Sequence, residues 1–512
     1  MPKLPDLPAA PTAPEIGRPD VLVQRGYDAL EKGEYSRAIE LYRRALAIDP
    51  TFIDAINGLG TAAGVTGDLL TAIQQFENSL RIYPDQHEAW FNHGSALLKV
   101  GLIKEALGSF HRSIALAPEF AAAYLALSSA LSNLARYDEA LAAFTETLRL
   151  LPDDPVTAKQ HGIALQWRGD FDLALKEFER SIALYPEHAE AWVSKAMLLL
   201  TLGDLPAGFK LYEWRFRMVS WLRSPWSLKR RYPTPLWLGE PSIKDKALFI
   251  FAEQGFGDMI QFCRYVTLAA RTGARVILGV PDELVVLMKT LDGPARVVSD
   301  NDPTPEHDFH CPIMSLPLAL GTTMETIPAS VPYLRADPAR SAKWRERLSA
   351  LPDRRVGLVW AAGSRVGDDE MVAIEQRKSM PLSALGALAS VAGCSFVSLQ
   401  LGPHAKQAAS PPPGLILHDY TADLKDFADT AALMENLDLV ISVCTSTAHL
   451  AGALARPVWL LNRYDTDWRW FLDRDDSPWY PTMRLFRQDR PADWTSAIRS
   501  MVSALRTFVG AG

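Results

Sequence analysis

The chain of 512 residues contains little cysteine for its length, and its few cysteines show no pattern. Cys263, Cys311, Cys394 and Cys444 are widely scattered and form neither a CxxC pair nor a Cys/His arrangement with metal-ligand spacing. A disulfide scaffold is therefore excluded, and a reducing compartment fits the composition. The expected location is the cytoplasm.

The chain also lacks a strong excess of one charge and a long apolar run. It has 53 basic and 60 acidic residues, a net charge of −7, which argues against a polyanion such as nucleic acid as partner. No uninterrupted apolar stretch reaches the ~18 residues that indicate a membrane span. The proline-rich residues 1–19 have no apolar core of signal-peptide length, so we predict a disordered leader there.

What the chain does contain is a repeat with a period of 34 residues, which predicts about six units over residues 20–212. Each of the first five units ends on a proline, with an alanine twelve residues earlier and an aromatic residue eight residues earlier; the sixth has Gly208 and Tyr212 at these two positions and no closing proline. The prolines are Pro50, Pro84, Pro118, Pro152 and Pro186, the alanines Ala38, Ala72, Ala106, Ala140 and Ala174, and the aromatics Tyr42, Phe76, Phe110, Phe144 and Phe178. A small residue lets two helices approach, and the aromatic fills the space between them.

Glycines complete the repeat. Gly33, Gly67, Gly101, Gly169 and Gly203 stand where a helix-to-helix turn uses a positive φ. Trp90 and Trp192 occupy the aromatic position of the first helix, and its small position holds Gly26, Gly60, Gly94 and Gly162. The pattern resembles the tetratricopeptide repeat, which implies an α-solenoid whose groove binds a peptide or a partner protein. A spacer or a dimerisation arm is the alternative, and the sequence leaves the oligomeric state open.

Residues 213–245 form a basic, aromatic linker. From Trp214 to Trp237 it contains six lysines and arginines and no acid. We expect its aromatic side chains to pack the last repeat against the next domain while the charged heads reach solvent. Binding of single-stranded nucleic acid, or of acidic substrate groups, is the less favoured interpretation.

From residue 246 the pattern changes to short apolar runs that alternate with helical segments, which indicates an α/β fold with parallel sheets. Strands are predicted at 247–252, 274–280, 356–361, 395–400, 415–418, 438–443 and 457–461. Helices are predicted at 258–271, 281–291, 426–436 and 445–455. Two Rossmann-like domains, 246–340 and 341–512, account for this alternation. A ligand is then expected between them, at the carboxyl ends of the strands.

Two strand-to-helix turns contain the candidate site residues. The first is Glu253-Gln254-Gly255-Phe256-Gly257-Asp258, where Gly255 and Gly257 permit a tight turn and a close ligand. Asp258 is either a helix-capping acid or a general base that accepts a proton from an attacking hydroxyl.

The second turn precedes the helix predicted at 445–455. Thr445, Ser446 and Thr447 combine hydroxyl groups with free backbone donors, as a diphosphate site needs, and His449 follows one helical turn later. Arg377 and Lys378 are expected to neutralise a leaving pyrophosphate, or else to be a solvated surface pair.

Residues 235–494 resemble glycosyltransferases of the heptosyltransferase type, in the form fused behind tetratricopeptide repeats in bacteria. The matching strings include Glu253 to Tyr265, Lys378-Ser-Met-Pro381, Ser398 to Pro403 (with Gln400), Leu437 to Trp459 and Asp467-Trp-Arg-Trp470. The resemblance implies a GT-B fold, with the acceptor in the first domain and a nucleotide-sugar in the second. It also implies metal-independent inverting transfer with Asp258 as base and Thr445 and His449 at the donor. Cys444 stands where this family typically has aspartate, which puts heptose as the donor sugar in doubt.

The predicted function is a glycosyltransferase that moves sugar from a nucleotide-sugar to a serine or threonine hydroxyl of a protein recruited by the repeats. Flagellin or another surface protein is the expected acceptor. Lipopolysaccharide or another surface glycan is the alternative acceptor, and a non-catalytic scaffold that binds nucleotide-sugar is the alternative class. No cofactor and no metal are expected. The Asp-x-Asp pairs at 300–302, 465–467 and 473–475 have the spacing of a divalent-cation motif, but such pairs occur often by chance in a chain with 60 acidic residues.

Overall fold

A computed structural model describes residues 17–219, 232–363 and 374–510. Residues 1–16 of the predicted leader and residues 220–231 of the basic linker lie outside the described residues. The chain divides into two compact units, Met1–Ala164 and Leu165–Gly512. The division falls inside the repeat array rather than at its predicted end near residue 212.

The first unit consists of antiparallel helix pairs on the 34-residue period. Its helices are α1 (Pro19–Glu31), α2 (Tyr35–Ile48), α3 (Ile53–Thr66), α4 (Leu69–Ile82), α5 (His87–Lys99), α6 (Ile103–Leu116), α7 (Ala121–Asn133), α8 (Tyr137–Leu150) and α9 (Pro155–Arg168), which spans the division. The aromatic of each second helix fills the space beside the small residue of the first. A Cβ placed on Gly26 would lie 2.5 Å from the Tyr42 ring, so this position accepts no side chain without a shift of that ring.

The turns within the helix pairs use left-handed backbone, as predicted. The glycines at 33, 67, 101, 169 and 203 all have positive φ, between 73° and 103°. The fourth repeat has Ala135 at this position, and it adopts the same conformation with φ 58°. An alanine there accepts a strain that the glycines of the other turns avoid.

The last repeats belong to the second unit. They comprise α10 (Phe171–Leu184), α11 (Ala189–Thr201), α12 (Leu205–Tyr212) and a 3-10 helix at Glu213–Arg217. Leu200, Phe209 and Tyr212 share one continuous hydrophobic core with the strands that follow. The end of the array is therefore packed into the α/β part of the chain.

The first sheet has strand order β3-β2-β1-β4 and is parallel throughout. Its strands are β1 (Ala247–Phe251), β2 (Arg275–Val280), β3 (Arg296–Ser299) and β4 (Phe309–Pro312). The helices that follow its strands are α13 (Phe256–Phe262), α14 (Arg264–Arg271), α15 (Asp282–Met288) and α16 (Leu316–Ala319), and α17 (Pro338–Leu348) leads to the second sheet.

The second sheet has order β10-β9-β8-β5-β6-β7 and is also parallel. It contains β5 (Arg354–Val359), β6 (Cys394–Ser398), β7 (Leu417–Asp419), β8 (Leu439–Val443), β9 (Val458–Asn462) and β10 (Met483–Arg487), with helices α18 (Phe427–Met434), α19 (Ser446–Ala453) and α20 (Thr495–Gly510). When its strands are numbered from β5 as the first, the second sheet has the order 6-5-4-1-2-3, which is the doubly wound arrangement. The first sheet, with the order 3-2-1-4, contains four strands of the same arrangement.

Each sheet has one point where the strand order reverses. It lies between β1 and β4 in the first sheet and between β5 and β8 in the second. Connections leave in opposite directions at such a point, so a crevice opens at the carboxyl ends of the two strands. Both predicted turns begin at these strand ends.

Candidate functional site

The two turns meet. We call Glu253–Asp258 the β1 turn and Cys444–Thr447 the β8 turn. Gly257 of the first packs against the second, because a Cβ placed on it would lie 3.4 Å from Ser446 Cα and 3.1 Å from His449 Cδ2. The close approach that Gly257 permits is therefore one between two segments of the chain.

Glu253 is fully occupied by structural partners. Arg215 donates from Nε and Nη2 to its two carboxylate oxygens at 2.9 and 2.7 Å, and the Met314 amide donates to Oε1 at 3.0 Å. The carboxylate of Glu253 is buried, as is the guanidinium of Arg215. The expectation that charged heads of the linker reach solvent is thus wrong for Arg215, because Glu253 gives it a buried partner. Arg217 keeps its head in solvent.

The rest of the β1 turn depends on one unusual backbone conformation. Gln254, and not the glycine beside it, is left-handed, with φ 64°, and its side-chain amide donates to the Tyr212 hydroxyl at 2.6 Å. Gly255 has φ −92° and donates its amide to Asp258 Oδ2 at 3.0 Å. Asp258 therefore caps α13, as one of the two predicted roles requires.

The other oxygen of Asp258 meets an arginine that the sequence interpretation did not single out. Arg469 pairs with Asp258 Oδ1 and donates to Asp467 Oδ1 at 2.9 Å and to Gln261 Oε1 at 2.7 Å. Burial alone would raise the pKa of Asp467, but Arg469 together with Arg463 outweighs burial and holds that pKa below its usual range. Arg469 thus links the β1 turn to the segment after β9.

The β8 turn presents backbone donors. Thr445 precedes α19 and does not cap it, since its hydroxyl lies 3.2 Å from that of Ser442. Within the described residues, the amides of Ser446 and Thr447 donate no backbone hydrogen bond. Free amides at the start of a helix favour an anion.

Cys444 and His449 are both uncharged at neutral pH. Burial, followed by Asp467, raises the pKa of the Cys444 thiol, and its sulfur accepts from Trp470 Nε1 at 3.2 Å. Burial, followed by Arg469, lowers the pKa of His449 to about 3. His449 Nδ1 lies 3.0 Å from the Tyr480 hydroxyl, and its ring stacks on Trp470. His449 thus has packing and hydrogen-bond partners but no positive charge to offer a phosphate.

The two predicted cations point to different places. Lys378 acts electrostatically on both Cys444 and His449, and it forms no ion pair with the part of the chain that the structure describes. Arg377 is buried; its Nε donates to Asp465 at 3.0 Å and its guanidinium lies 4.0 Å from the Trp167 ring centroid. Of the two predicted cations, Lys378 is therefore the one near the β8 turn, which Arg469 also influences.

Gln400 stabilises the backbone just after β5 through its side-chain amide. Its Oε1 accepts from the amides of Trp360 and Ala361 at 3.0 and 2.8 Å, and its Nε2 donates to the carbonyls of Ala361 and Leu401. All its polar atoms are thus used within the protein, next to the reversal point of the second sheet.

The described residues contain neither a metal-ligand cluster nor a helix that could span a membrane. Among the described residues, no three or more His, Cys, Asp or Glu side chains are grouped as metal ligands would be. In the same ranges, every helix is too short or too polar to cross a bilayer.

Comparison with known sequences identifies the repeats. A TPR repeat profile matches residues 26–63, and a second tetratricopeptide repeat profile matches 91–155 and 160–213. The N-terminal region therefore consists of tetratricopeptide repeats. Protein FlbA of Caulobacter vibrioides is 28% identical over 340 residues, which are 62% of this chain and 54% of FlbA. The chain thus spans about half the length of this curated relative.

Solved structures with related architecture cover about a third of the chain. MamA is 24% identical over 34% of this chain and 94% of its own, with a TM-score of 0.31. YrrB, described as a TPR protein with an unusual peptide-binding site, is 23% identical over 34% of this chain and 90% of its own, with a TM-score of 0.32. These likenesses concern the fold.

Proposed function

We propose that the chain is a nucleotide-sugar-dependent glycosyltransferase whose tetratricopeptide repeats recruit a protein acceptor. The observation that carries the proposal is the contact between the β1 and β8 turns, each at the reversal point of its own parallel sheet. Ligands of doubly wound folds bind at such points. A pair of facing sheets of this kind, with the donor against one and the acceptor against the other, is the GT-B arrangement.

In this proposal the donor diphosphate binds at the β8 turn. The amides of Ser446 and Thr447 donate no backbone hydrogen bond within the described residues, and Lys378 lies near enough to act electrostatically on Cys444. The neutral Cys444 adds no repulsion. Charge-assisted hydrogen bonds of this kind stabilise the phosphate oxygens that gain charge as the leaving group departs. This arrangement supports transfer without a metal ion.

In this proposal the acceptor hydroxyl binds beside Asp258. The hydroxyl oxygen forms the new bond to the sugar carbon while its proton passes to the carboxylate. The bond from that carbon to the phosphate oxygen breaks, and its electron pair leaves with the diphosphate. Asp258 Oδ1 must first be released from Arg469, which in this proposal turns to the arriving phosphates.

The Asp258–Arg469 pair also favours a second candidate, a non-catalytic scaffold that binds nucleotide-sugar and a partner protein. If Arg469 stays paired, Asp258 is only a cap and a bridge between segments. A lipopolysaccharide or surface-glycan acceptor would use the same donor site and differs only in what the repeats bind.

The decisive experiment measures release of nucleoside diphosphate from a panel of nucleotide-sugars by the native chain, Asp258→Asn and Asp292→Asn. Asp292 pairs with Arg335 on the surface and serves as the matched control. We expect Asp258→Asn to lose turnover while the donor still raises the melting temperature. Equal turnover in Asp258→Asn would refute its role as base. Donor binding without turnover in the native chain, both with and without a candidate protein acceptor, would support the scaffold.

A truncation tests recruitment by the repeats. Removing residues 17–153 retains Asp154, whose carboxylate accepts from the Thr157 amide at the start of α9, and leaves the second unit with its own core. We expect the truncated chain to hydrolyse donor slowly but to lose transfer to a protein acceptor. Undiminished transfer would show that these repeats do not recruit it.

A further inference from the structure

The β1 turn is held from the end of the repeat array. We propose that Tyr212 and Arg215 are positioning residues that set the conformation of this turn and, through it, the carboxylate of Asp258. What Asp258 then does rests on the proposed function, whereas the positioning itself does not.

The first support is the strain at Gln254. Left-handed backbone is unfavourable for a residue that carries a side chain, so a contact must hold Gln254 in this conformation. The hydrogen bond from Gln254 Nε2 to the Tyr212 hydroxyl, at 2.6 Å, is the contact that does so. Burial raises the pKa of Tyr212 to about 12, so this hydroxyl keeps its proton throughout the physiological range.

The second support is the network around Arg215. Besides its two bonds to Glu253, its Nη2 donates to Ser315 Oγ at 2.8 Å, and its Nη1 donates to Glu213 at 2.7 Å and to the Tyr212 carbonyl at 3.2 Å. The guanidinium therefore ties the 3-10 helix after α12 to the start of the β1 turn and to the segment after β4. A buried, fully bonded pair of this kind fixes geometry because breaking it leaves a buried charge.

The two contacts act on adjacent residues. Arg215 holds Glu253 and Tyr212 holds Gln254, and the next residue, Gly255, donates its amide to Asp258. Because the path from the array to the carboxylate contains no unconstrained residue, a displacement of α12 is transmitted to Asp258. A partner bound to the last repeat would thus act on the candidate base through Tyr212 and Arg215.

The test compares Tyr212→Phe, which removes one oxygen, with Tyr42→Phe in the first unit. The Tyr42 hydroxyl is also buried and has no partner among the described residues, so it is a matched control. Amide hydrogen exchange is measured across residues 247–262 in the full chain. We expect exchange in the β1 turn to rise roughly three- to tenfold in Tyr212→Phe, as loss of one neutral hydrogen bond gives. We expect no change there in Tyr42→Phe.

Gln254→Gly shows whether Tyr212 acts on the turn through Gln254, because it removes both the strain and the side chain that bonds to Tyr212. Glycine adopts the left-handed conformation without cost, so adding Tyr212→Phe to Gln254→Gly is expected to change exchange in the turn by less than twofold. Unchanged exchange in Tyr212→Phe, or an equal rise throughout β1 and α13, overturns the proposal.

Where the native chain turns over a nucleotide-sugar, we expect Tyr212→Phe to lower kcat roughly three- to tenfold with an unchanged KM for the donor. An unchanged kcat contradicts positioning of Asp258. If the native chain turns over no donor, the proposed function fails, and the exchange measurement still decides whether Tyr212 holds the turn.

Discussion

The alanine in the fourth turn of the array permits a quantitative test of why the other turns contain glycine. Ala135 has φ 58°, in the conformation that Gly101 adopts with φ 83° in the preceding repeat. Left-handed backbone costs an alanine roughly 1–2 kcal/mol. Glycine loses about 0.5–1 kcal/mol more conformational entropy on folding, which offsets part of the gain. We therefore expect Ala135→Gly to stabilise the array by about 0.5–1 kcal/mol.

The reverse substitution supplies the matched control. A Cβ on Gly101 would meet no atom within 4 Å, so Gly101→Ala introduces backbone strain without a steric clash. We expect it to destabilise the array by a similar amount.

Native-state hydrogen exchange measures the free energy of local opening in α7 and α8 for Ala135→Gly, and in α5 and α6 for Gly101→Ala. In this way each substitution is assessed in the helices that flank it. Destabilisation by Ala135→Gly, or no effect of Gly101→Ala, would refute the reasoning, because both follow from the same backbone preference.

Three further outcomes concern the neighbourhood of the two turns. Gly452→Ala is expected to lower the free energy of unfolding, measured in urea, by roughly 1–3 kcal/mol, because its Cβ would lie 2.4 Å from the Tyr480 ring; an unchanged midpoint contradicts this packing. Gly257→Ala is expected to weaken donor binding, seen as a smaller ligand-induced rise in melting temperature, because its Cβ presses on His449. His449 has a folded pKa of about 3 against an unfolded value near 6.5, so its neutral form stabilises the fold fully above pH 6.5 and progressively less as the pH falls toward 3. The difference in melting temperature between the native chain and His449→Gln should therefore become smaller from pH 7 to pH 4. A difference that stays constant would contradict the lowered pKa of His449.

The sequence predicted the parts of the fold that depend on local pattern. Glycine at the helix-to-helix turns follows from backbone sterics, so their left-handed conformation was readable from the repeat. The strands predicted at 247–252 and 438–443 are central and mostly apolar, and both formed within one residue of the predicted bounds. Strands β3, β4 and β10 were missed. All three are edge strands, and β10, Met483-Arg-Leu-Phe-Arg487, carries arginines that do not suggest a buried strand.

The candidate site was less readable because its key contacts join distant residues. The sequence predicts Arg215 to be a surface cation, whereas the structure pairs it with Glu253, 38 positions away. Asp258 and Arg469 are 211 positions apart. The string Asp467-Trp-Arg-Trp470 belongs to the resemblance, but it does not indicate that Arg469 pairs with Asp258. Ion-pair partners are set by tertiary packing, and no local pattern contains that information.

The division between Ala164 and Leu165 places the first eight helices in a compact unit of their own. The helices that support the β1 turn, α11 and α12, are already built into the core of the second unit. Whole 34-residue modules ahead of α9 are therefore free to be gained, lost or replaced without altering the segment that holds Asp258. Under the proposed function, the binding specificity of the repeats and the chemistry at Asp258 can then change at different rates within one polypeptide.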